Sequence, residues 1–157
     1  MPTANARKGS ATERMVAKYL REQGFWMADR RLREGRNDDQ GDIDGVPFTT
    51  IQVKYVEANR YAAWVLDTIK QRDTAGTPLC LLVRRVPRKP VEQWEASMPT
   101  TGFPEEEAWT WRRMDLRLAV ELLQEMITAE ELSRSRWGQS SPATSPTSIG
   151  PAPAIPA

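Results

Sequence analysis

Apolar residues in the first 56 positions follow a helical spacing and then the spacing of strands. The stretch Ser10-Ala11-Thr12-Glu13 has the form of a capping box, and the apolar residues after it recur at steps of three and four, which predicts a helix over residues 10–23. Short apolar or alternating runs predict three strands, over residues 25–28, 42–48 and 49–56. The charge-dense segment 30–40 is predicted to be a mobile loop.

Helical spacing returns over residues 59–75, and a continuous apolar run over residues 78–86 is typical of a buried central strand. The order of elements is then helix, three strands, helix and strand. This order predicts an α/β fold in which helices flank a mixed β-sheet.

The second half of the chain differs from the first in charge and in pattern. Residues 1–90 have a net charge of +6 and residues 91–157 a net charge of −5. Helical spacing predicts one more helix, over residues 115–133, whereas the Ser-, Pro- and Ala-rich end has almost nothing to bury. We expect a core at residues 1–90, an acidic, partly helical extension at 91–137 and a disordered tail at 138–157. The core is the part suited to bind a polyanion, although ordinary solvated charges explain the asymmetry equally.

Composition restricts the chemistry that the 157 residues can perform. The absence of histidine and the single cysteine, Cys80, exclude the usual zinc sites, histidine acid–base catalysis and an intramolecular disulfide. No apolar run is long enough for a membrane span, and the N-terminus lacks the apolar segment of a signal peptide, so we expect a cytoplasmic protein that does not contact membranes.

Polar side chains interrupt the strand predicted over residues 49–56. Gln52 and Lys54 are two residues apart and share one face of that strand. A hairpin turn of about five residues places Asp42 and Asp44 beside them. Two carboxylates, an amide oxygen and an ammonium group then converge, which suits Mg²⁺ and leaves the lysine for a phosphate or a metal-bound water. An edge strand with one solvated face explains Gln52 and Lys54 without any such site.

Four stretches of the sequence together carry a resemblance to a known family. They are "RKGSATERMVAKYLREQGF" (7–25), "GDIDG" (41–45), "IQVK" (51–54) and "TPLCLLVRR" (77–85). On these stretches the sequence resembles the PD-(D/E)XK nuclease superfamily, and within it the archaeal-type Holliday junction resolvases and their phage-encoded relatives. The resemblance covers about residues 7–86 and leaves the acidic half outside it.

The motifs of that superfamily correspond to particular residues of this chain. Its first motif, Lys-Gly-Ser followed by a helix with a metal-binding Glu, is matched by Lys8-Gly9-Ser10 and Glu13. Its second, an acid that opens the second strand, is matched by Asp42, and its third, acid-X-Lys, by Gln52-Val53-Lys54. Each match also has an ordinary structural explanation, such as a helix cap for Ser10 or a turn at the second motif.

Two residues depart from the family pattern. Gly41 stands where the Pro of the family name is usual, and Gln52 stands where an acid is usual. An amide oxygen can coordinate Mg²⁺ without supplying charge, so the metal affinity should be lower. Branches similar to the methylated-DNA restriction nucleases carry a Q-x-K motif and are read as active, which keeps Gln52 compatible with catalysis.

The resemblance implies a restriction-endonuclease-like fold and a metal-dependent endodeoxyribonuclease that hydrolyses phosphodiester bonds. Its catalytic residues would be Glu13, Asp42, Gln52 and Lys54. Its cofactor, Mg²⁺ with Mn²⁺ as a possible substitute, would be held by Glu13, Asp42, Gln52 and the Val53 carbonyl. Phosphate contacts with DNA would come from Arg7, Lys8, Ser10, Arg30, Arg31, Arg33 and Arg36.

Several readings of substrate and assembly stay open from the sequence. A Holliday junction resolvase would be a two-fold homodimer, with Trp64 and the helix at residues 59–75 either at the dimer interface or in the core. The alternatives are another nuclease of the superfamily, acting on duplex ends, flaps or modified DNA, and an inactive DNA-binding module of the same fold. The acidic extension, in which Trp94, Trp109 and Trp111 suit core packing or protein contact better than base stacking, could dock a replication or recombination protein.

Overall fold

Three α-helices and six β-strands make up the part of the chain that the computed structural model describes, residues 3–32, 39–55 and 60–139. The helices are α1 (Ala4–Glu22), α2 (Tyr61–Ala75) and α3 (Leu116–Gln139). The strands are β1 (Asp29–Arg30), β2 (Ile43–Asp44), β3 (Thr49–Lys54), β4 (Leu79–Arg84), β5 (Glu95–Met98) and β6 (Arg112–Asp115). None of these helices combines the length and the apolar character needed to cross a bilayer.

All six strands form one sheet in chain order, β1-β2-β3-β4-β5-β6. Neighbouring strands are antiparallel except β3 and β4, which are parallel and are connected through α2. The predicted α/β class with a mixed sheet and flanking helices is therefore confirmed.

The two faces of the sheet bury separate apolar clusters. Ile51, Val53, Leu81 and Val83 belong to the larger cluster, which also contains the buried residues of α1 and α3. Cys80 and Leu82, on the opposite face, pack with Tyr61, Trp64, Val65, Ile69 and Trp111 in the smaller cluster, on the side of α2. Burial raises the pKa of the Cys80 thiol to about 12, so this side chain is an uncharged core residue at neutral pH.

The acidic half shares the core of the basic half. β5 and β6 extend the sheet beyond β4, and Leu116, Val120 and Leu123 of α3 lie in the same apolar cluster as Val16 and Leu20 of α1. Residues 91–137 are therefore part of one folded unit rather than an extension outside it, because both halves bury a common apolar surface. The predicted disordered tail falls on residues 138–157, of which α3 includes the first two and the rest lie outside the described residues.

The first helix begins earlier than its capping-box pattern predicts. The Thr3 hydroxyl is the N-cap and accepts a hydrogen bond from the backbone N–H of Ala6, at 3.2 Å. Ser10 and Glu13 consequently lie inside α1, and the predicted capping box does not form. The prediction failed because Thr3 is also a good N-cap and most residues that follow it favour a helix.

The strand predicted over residues 25–28 is wrong, since that segment is a turn and β1 follows it. The N–H of Ala28 donates to the Phe25 carbonyl at 2.9 Å, and Trp26 and Met27 point into solvent, 78% and 61% exposed. β2 is shorter than predicted because the chain turns at once at Gly45, which has φ +84°.

The other predicted elements are present, with shifted ends. β3 and β4 occupy the strands predicted over residues 49–56 and 78–86, and α2 occupies the helix predicted over 59–75. α3 continues six residues beyond its predicted end at residue 133. Of the loop predicted over residues 30–40, the first residue belongs to β1, and residues 33–38 lie outside the described residues.

Most of the tryptophans singled out in the sequence are core residues. Trp64, Trp94 and Trp111 are at most 5% exposed. Trp109, by contrast, is 75% exposed. Of the two alternatives for Trp64, core and dimer interface, the structure favours the core.

Candidate active site

Asp42 and Gln52 lie beside each other where the pairing of β2 with β3 ends. Ile43 is opposite Ile51 in the antiparallel register, so the residue before Ile43 lies next to the residue after Ile51. The Asp42 N–H donates to the Ile51 carbonyl, and its carboxylate Oδ2 accepts from the Val53 N–H, both at 2.8 Å. Asp42 is 2% exposed and Gln52 4% exposed. The prediction that Asp42 and Gln52 are neighbours is therefore confirmed, whereas Asp44 falls opposite Thr50 in this register and not beside Lys54.

The Gln52 side chain leaves one polar atom unsatisfied. Within the described residues, its Oε1 is buried and has no hydrogen-bond partner. An unpaired buried acceptor costs about 1–3 kcal/mol, so it calls for an explanation such as a bound ligand. An amide oxygen beside a buried carboxylate is a donor pair that Mg²⁺ accepts. The residues present here therefore fit a divalent cation.

Lys54 lies two residues further along β3, on the same face as Gln52, and is partly exposed. Among the described residues it forms no ion pair and no side-chain hydrogen bond. The predicted Lys8-Gly9-Ser10 motif is near this end of β3, since a Cβ atom on Gly9 would lie 3.0 Å from the Tyr55 ring. The first motif therefore lies against the α1 face of β3, whereas Lys54 is in register with Arg84, whose guanidinium lies over Trp64 on the α2 face.

Glu13, the predicted metal ligand on α1, is engaged by an arginine. The Nε of Arg30 donates to its Oε2 at 2.6 Å, and both side chains are largely buried. The described residues contain no cluster of three or more His, Cys, Asp or Glu side chains that could hold a metal. A metal ion bound at Asp42 and Gln52 would therefore have fewer acidic ligands than the sequence-based prediction, which also counted Glu13.

Asp44 is a turn residue and an ion-pair partner. Its Oδ1 accepts from the Gly45 N–H at 3.0 Å and from Nη2 of Arg31 at 3.2 Å, and the side chain is exposed. Arg31 also donates to the Gln40 side chain at 3.2 Å. Of the two explanations open for Asp44, the turn accounts for its position without a metal.

The predicted phosphate-binding residues have different surroundings. Arg7 and Lys8 are exposed in the first half of α1, with the half-buried Ser10 next to them. Arg30 and Arg31 are paired with carboxylates, as described above. Arg33 and Arg36 lie outside the described residues.

The glycines of the GDIDG motif have backbone roles that no other residue could fill easily. Gly41 has φ +98°, and a Cβ atom there would lie 2.9 Å from the Ile51 carbonyl oxygen. Gly45 has φ +84°, and a Cβ atom there would overlap the carbonyl of Met27. The motif thus holds Asp42 against β3 and lets the turn after β2 pack on the segment before β1.

Replacing Gly45 by alanine should lower the free energy of unfolding by about 3 kcal/mol, because backbone strain adds to overpacking against Met27. The matched control is Gly76→Ala, since Gly76 also has a positive φ, +70°, but no atom within 4 Å of an added Cβ. It should cost about 1 kcal/mol, from strain alone. Urea unfolding of both variants measures the difference, and equal losses would show that Gly45 is not closely packed.

Two further cations at this end of the sheet escaped the sequence-based prediction. The parallel register sets Arg84 beside Lys54, and the Arg84 guanidinium lies 5.7 Å from the centre of the Trp64 ring. Arg85 donates from Nη1 to the Thr12 hydroxyl at 3.3 Å, and its N–H donates to the Lys54 carbonyl at 2.8 Å. The sequence Val83-Arg84-Arg85 at the end of the predicted central strand could have indicated these two cations. Parallel neighbouring strands end at the same edge of a sheet, so the arginines that end β4 lie near the end of β3.

Searches against protein families, curated proteins and solved structures returned no match to this chain. The functional interpretation therefore depends on the residues and on their arrangement.

Proposed function

We propose that the protein is a metal-dependent DNA endonuclease with a restriction-endonuclease-like fold, and that four-way DNA junctions are its substrate. The observation that carries the proposal is the buried pair of Asp42 and Gln52. The Oε1 atom of Gln52 has no hydrogen-bond partner among the described residues, and Gln52 and Lys54 both belong to β3. A carboxylate, an unpaired amide oxygen and an ammonium group at one end of a mixed sheet are the parts that phosphodiester hydrolysis without histidine needs.

Each side chain would have a distinct task in that reaction. Asp42 would supply the negative charge that holds Mg²⁺, in an orientation fixed by the hydrogen bond from the Val53 N–H. Gln52 and the Val53 carbonyl would supply neutral oxygens. When bound, the metal ion polarises the phosphoryl oxygen and lowers the pKa of a bound water. Lys54 would orient the attacking water or bind a non-bridging oxygen of the phosphate.

The cations around the site suit a DNA backbone. Arg84 lies beside Lys54 on the neighbouring strand. The exposed Arg7 and Lys8 lie on α1, on the other face of the sheet, next to Gly9, which would contact the Tyr55 ring. Contacts of this kind are independent of sequence and weaken with salt. A junction substrate has two symmetric strands to cut, which implies a two-fold homodimer.

A second candidate function is a DNA-binding module without catalysis. It is favoured by the neutral Gln52 in place of an acid and by the ion pair of Glu13 with Arg30, which together leave Asp42 with little negative charge beside it. This candidate predicts metal-independent binding and no cleavage. A nuclease that acts on other DNA predicts cleavage without preference for junctions.

The test is cleavage of a labelled four-way junction and of the matching linear duplex, each with Mg²⁺, Mn²⁺ or EDTA. We expect paired symmetric nicks in the junction, dependent on metal and lost in Lys54→Ala. Lys70→Ala, which removes an exposed lysine of α2, serves as the matched control and should cut normally. Equal cutting of the duplex would change the substrate assignment, and tight binding with no cut under either metal would favour the binding module.

A further inference from the structure

A second amide side chain, that of Gln71 on α2, repeats the unusual feature of Gln52. Gln71 is 4% exposed, and within the described residues its Oε1 is buried and has no hydrogen-bond partner. Its Nε2 donates to Oδ2 of Asp39 at 2.8 Å, so the nitrogen end of the amide is held by a carboxylate. An unsatisfied buried acceptor is uncommon in folded proteins, and a second one near the first calls for an explanation that covers both.

Both amides lie in the layer between β3 and α2. Gln52 faces α2, because Val53, the next residue of β3, belongs to the apolar cluster on the α1 side of the sheet. Gln71 lies three positions after Thr68 and seven after Trp64, and all three are buried on the same face of α2. The two unsatisfied oxygens therefore belong to side chains that enter one layer from opposite sides.

Asp39 connects Gln71 to the edge of the sheet that carries Gln52. Its Oδ1 accepts from the Gly41 N–H at 3.3 Å, while its Oδ2 accepts from Gln71. Gly41 in turn packs on β3, since a Cβ atom there would lie 3.1 Å from the Cγ2 methyl group of Thr50. Thr50 lies two positions before Gln52 and shares its face of β3. These contacts bring Asp39 and both amides together on the α2 side of the sheet.

The resulting set of oxygens suits a divalent cation. Asp39 and Asp42 offer two carboxylates, which balance the charge of one such ion. Gln52 and Gln71 offer two amide oxygens. All four are hard oxygen ligands of the kind that Mg²⁺ and Mn²⁺ accept. Asp39 is exposed whereas the other three side chains are buried, so a cation can reach this place from solvent.

We propose that Asp39 and Gln71 complete the cation site at Gln52, an inference that rests on the metal site of the proposed function. Asp39 supplies a second carboxylate in place of the acid that Gln52 lacks. Gln71 supplies an oxygen from Oε1, and its Nε2 holds Asp39 in position. The cation then binds on the α2 side of the sheet, the face that also carries Lys54. Glu13, on α1, has no part in this site.

The test measures Mn²⁺ affinity by electron paramagnetic resonance in the full chain without DNA. Asp39→Asn and Gln71→Leu should each weaken Mn²⁺ binding by about tenfold or more, because each removes an oxygen ligand. Gln124→Leu is the matched control for the amide, since Gln124 also donates from Nε2, to the Gln23 carbonyl at 2.7 Å. Asp67→Asn, which removes an exposed carboxylate of α2, is the control for charge. Both controls should bind Mn²⁺ like the wild type.

Gln71→Glu distinguishes a ligand from a residue that only holds Asp39. A carboxylate cannot donate to Asp39, so a purely structural role predicts Mn²⁺ binding as weak as in Gln71→Leu, and that result would overturn the ligand role. A ligand role predicts binding at least as tight as in the wild type. It also predicts a melting temperature that Mn²⁺ raises by at least as much as in the wild type. Circular dichroism verifies that each variant is folded.

Two further comparisons separate this inference from the proposed function. If Asp39→Asn and Gln71→Leu bind Mn²⁺ like the wild type while Asp42→Asn does not, the two added ligands are overturned and the metal-dependent function stands. If both variants lose Mn²⁺ but the wild-type chain cuts no DNA with either metal, the cation site stands and the nuclease is overturned. A wild-type chain that binds no Mn²⁺ would overturn both.

Discussion

Replacing Asp42 by Asn should reduce metal-dependent DNA cleavage by about a thousandfold in a variant that still folds. The Asn carbonyl oxygen can still accept the 2.8 Å hydrogen bond from the Val53 N–H, so the local backbone keeps its partner. The negative charge is lost, and a metal ion that stabilises the transition state by several kcal/mol is lost with it, which corresponds to about three powers of ten in rate. Single-turnover cleavage of a labelled junction and thermal unfolding measure the two effects.

Asp115→Asn is the control for this substitution. Asp115 also accepts a backbone hydrogen bond, from the Leu118 N–H at 2.9 Å at the start of α3, and Asn can replace it there. It lies on β6, three strands away from β3, so its variant should cleave DNA at the wild-type rate. Normal cleavage by Asp42→Asn would mean that the catalytic site lies elsewhere.

The elements that the sequence predicted correctly are those with a local pattern. β4 is a continuous apolar run and β3 alternates, so both were visible without knowledge of their partners. β1 has two residues, which is too few for any periodicity. β6 has the sequence RRMD, which resembles no strand in isolation and is held by pairing with β5. The sequence therefore could not show that the two halves of the chain form one folded unit, because that depends on strand pairings such as β4 with β5 and β5 with β6.

The same distinction holds within the candidate site. The neighbourhood of Asp42 and Gln52 followed from a hairpin and from the two-residue period of strands, which are properties of the local sequence. The ion pair of Glu13 with Arg30 joins two side chains that are 17 positions apart in the sequence. Glu13 lies on α1 and Arg30 on β1, and the sequence pattern had predicted the strand over residues 25–28 instead. The resemblance implied a metal-binding role for Glu13 and a phosphate contact for Arg30, but it could not show that the two side chains form an ion pair.

Replacing Gln52 by Leu should reduce cleavage by a hundredfold or more, since it removes one oxygen ligand of the metal. It should at the same time raise the free energy of unfolding by about 1 kcal/mol, because the buried and unpaired Oε1 disappears and an apolar group of similar size replaces it. If Gln52 is retained for function at a cost in stability, its replacement should give a variant that is more stable and less active. Urea unfolding and single-turnover cleavage measure the two quantities.

Gln52→Glu is the complementary substitution, and it decides whether the neutral amide limits the site. A second carboxylate beside the buried Asp42 should lower the free energy of unfolding in EDTA by about 1–3 kcal/mol, because two negative charges would then lie close together in a buried site. Mg²⁺ should restore that loss by binding only the folded chain, so the melting temperature becomes metal-dependent. If Gln52→Leu cleaves DNA like the wild type and Gln52→Glu melts at the same temperature with and without Mg²⁺, the amide oxygen is not a ligand. The unsatisfied acceptor would then need a different explanation, and the binding module without catalysis would become the better reading of the fold.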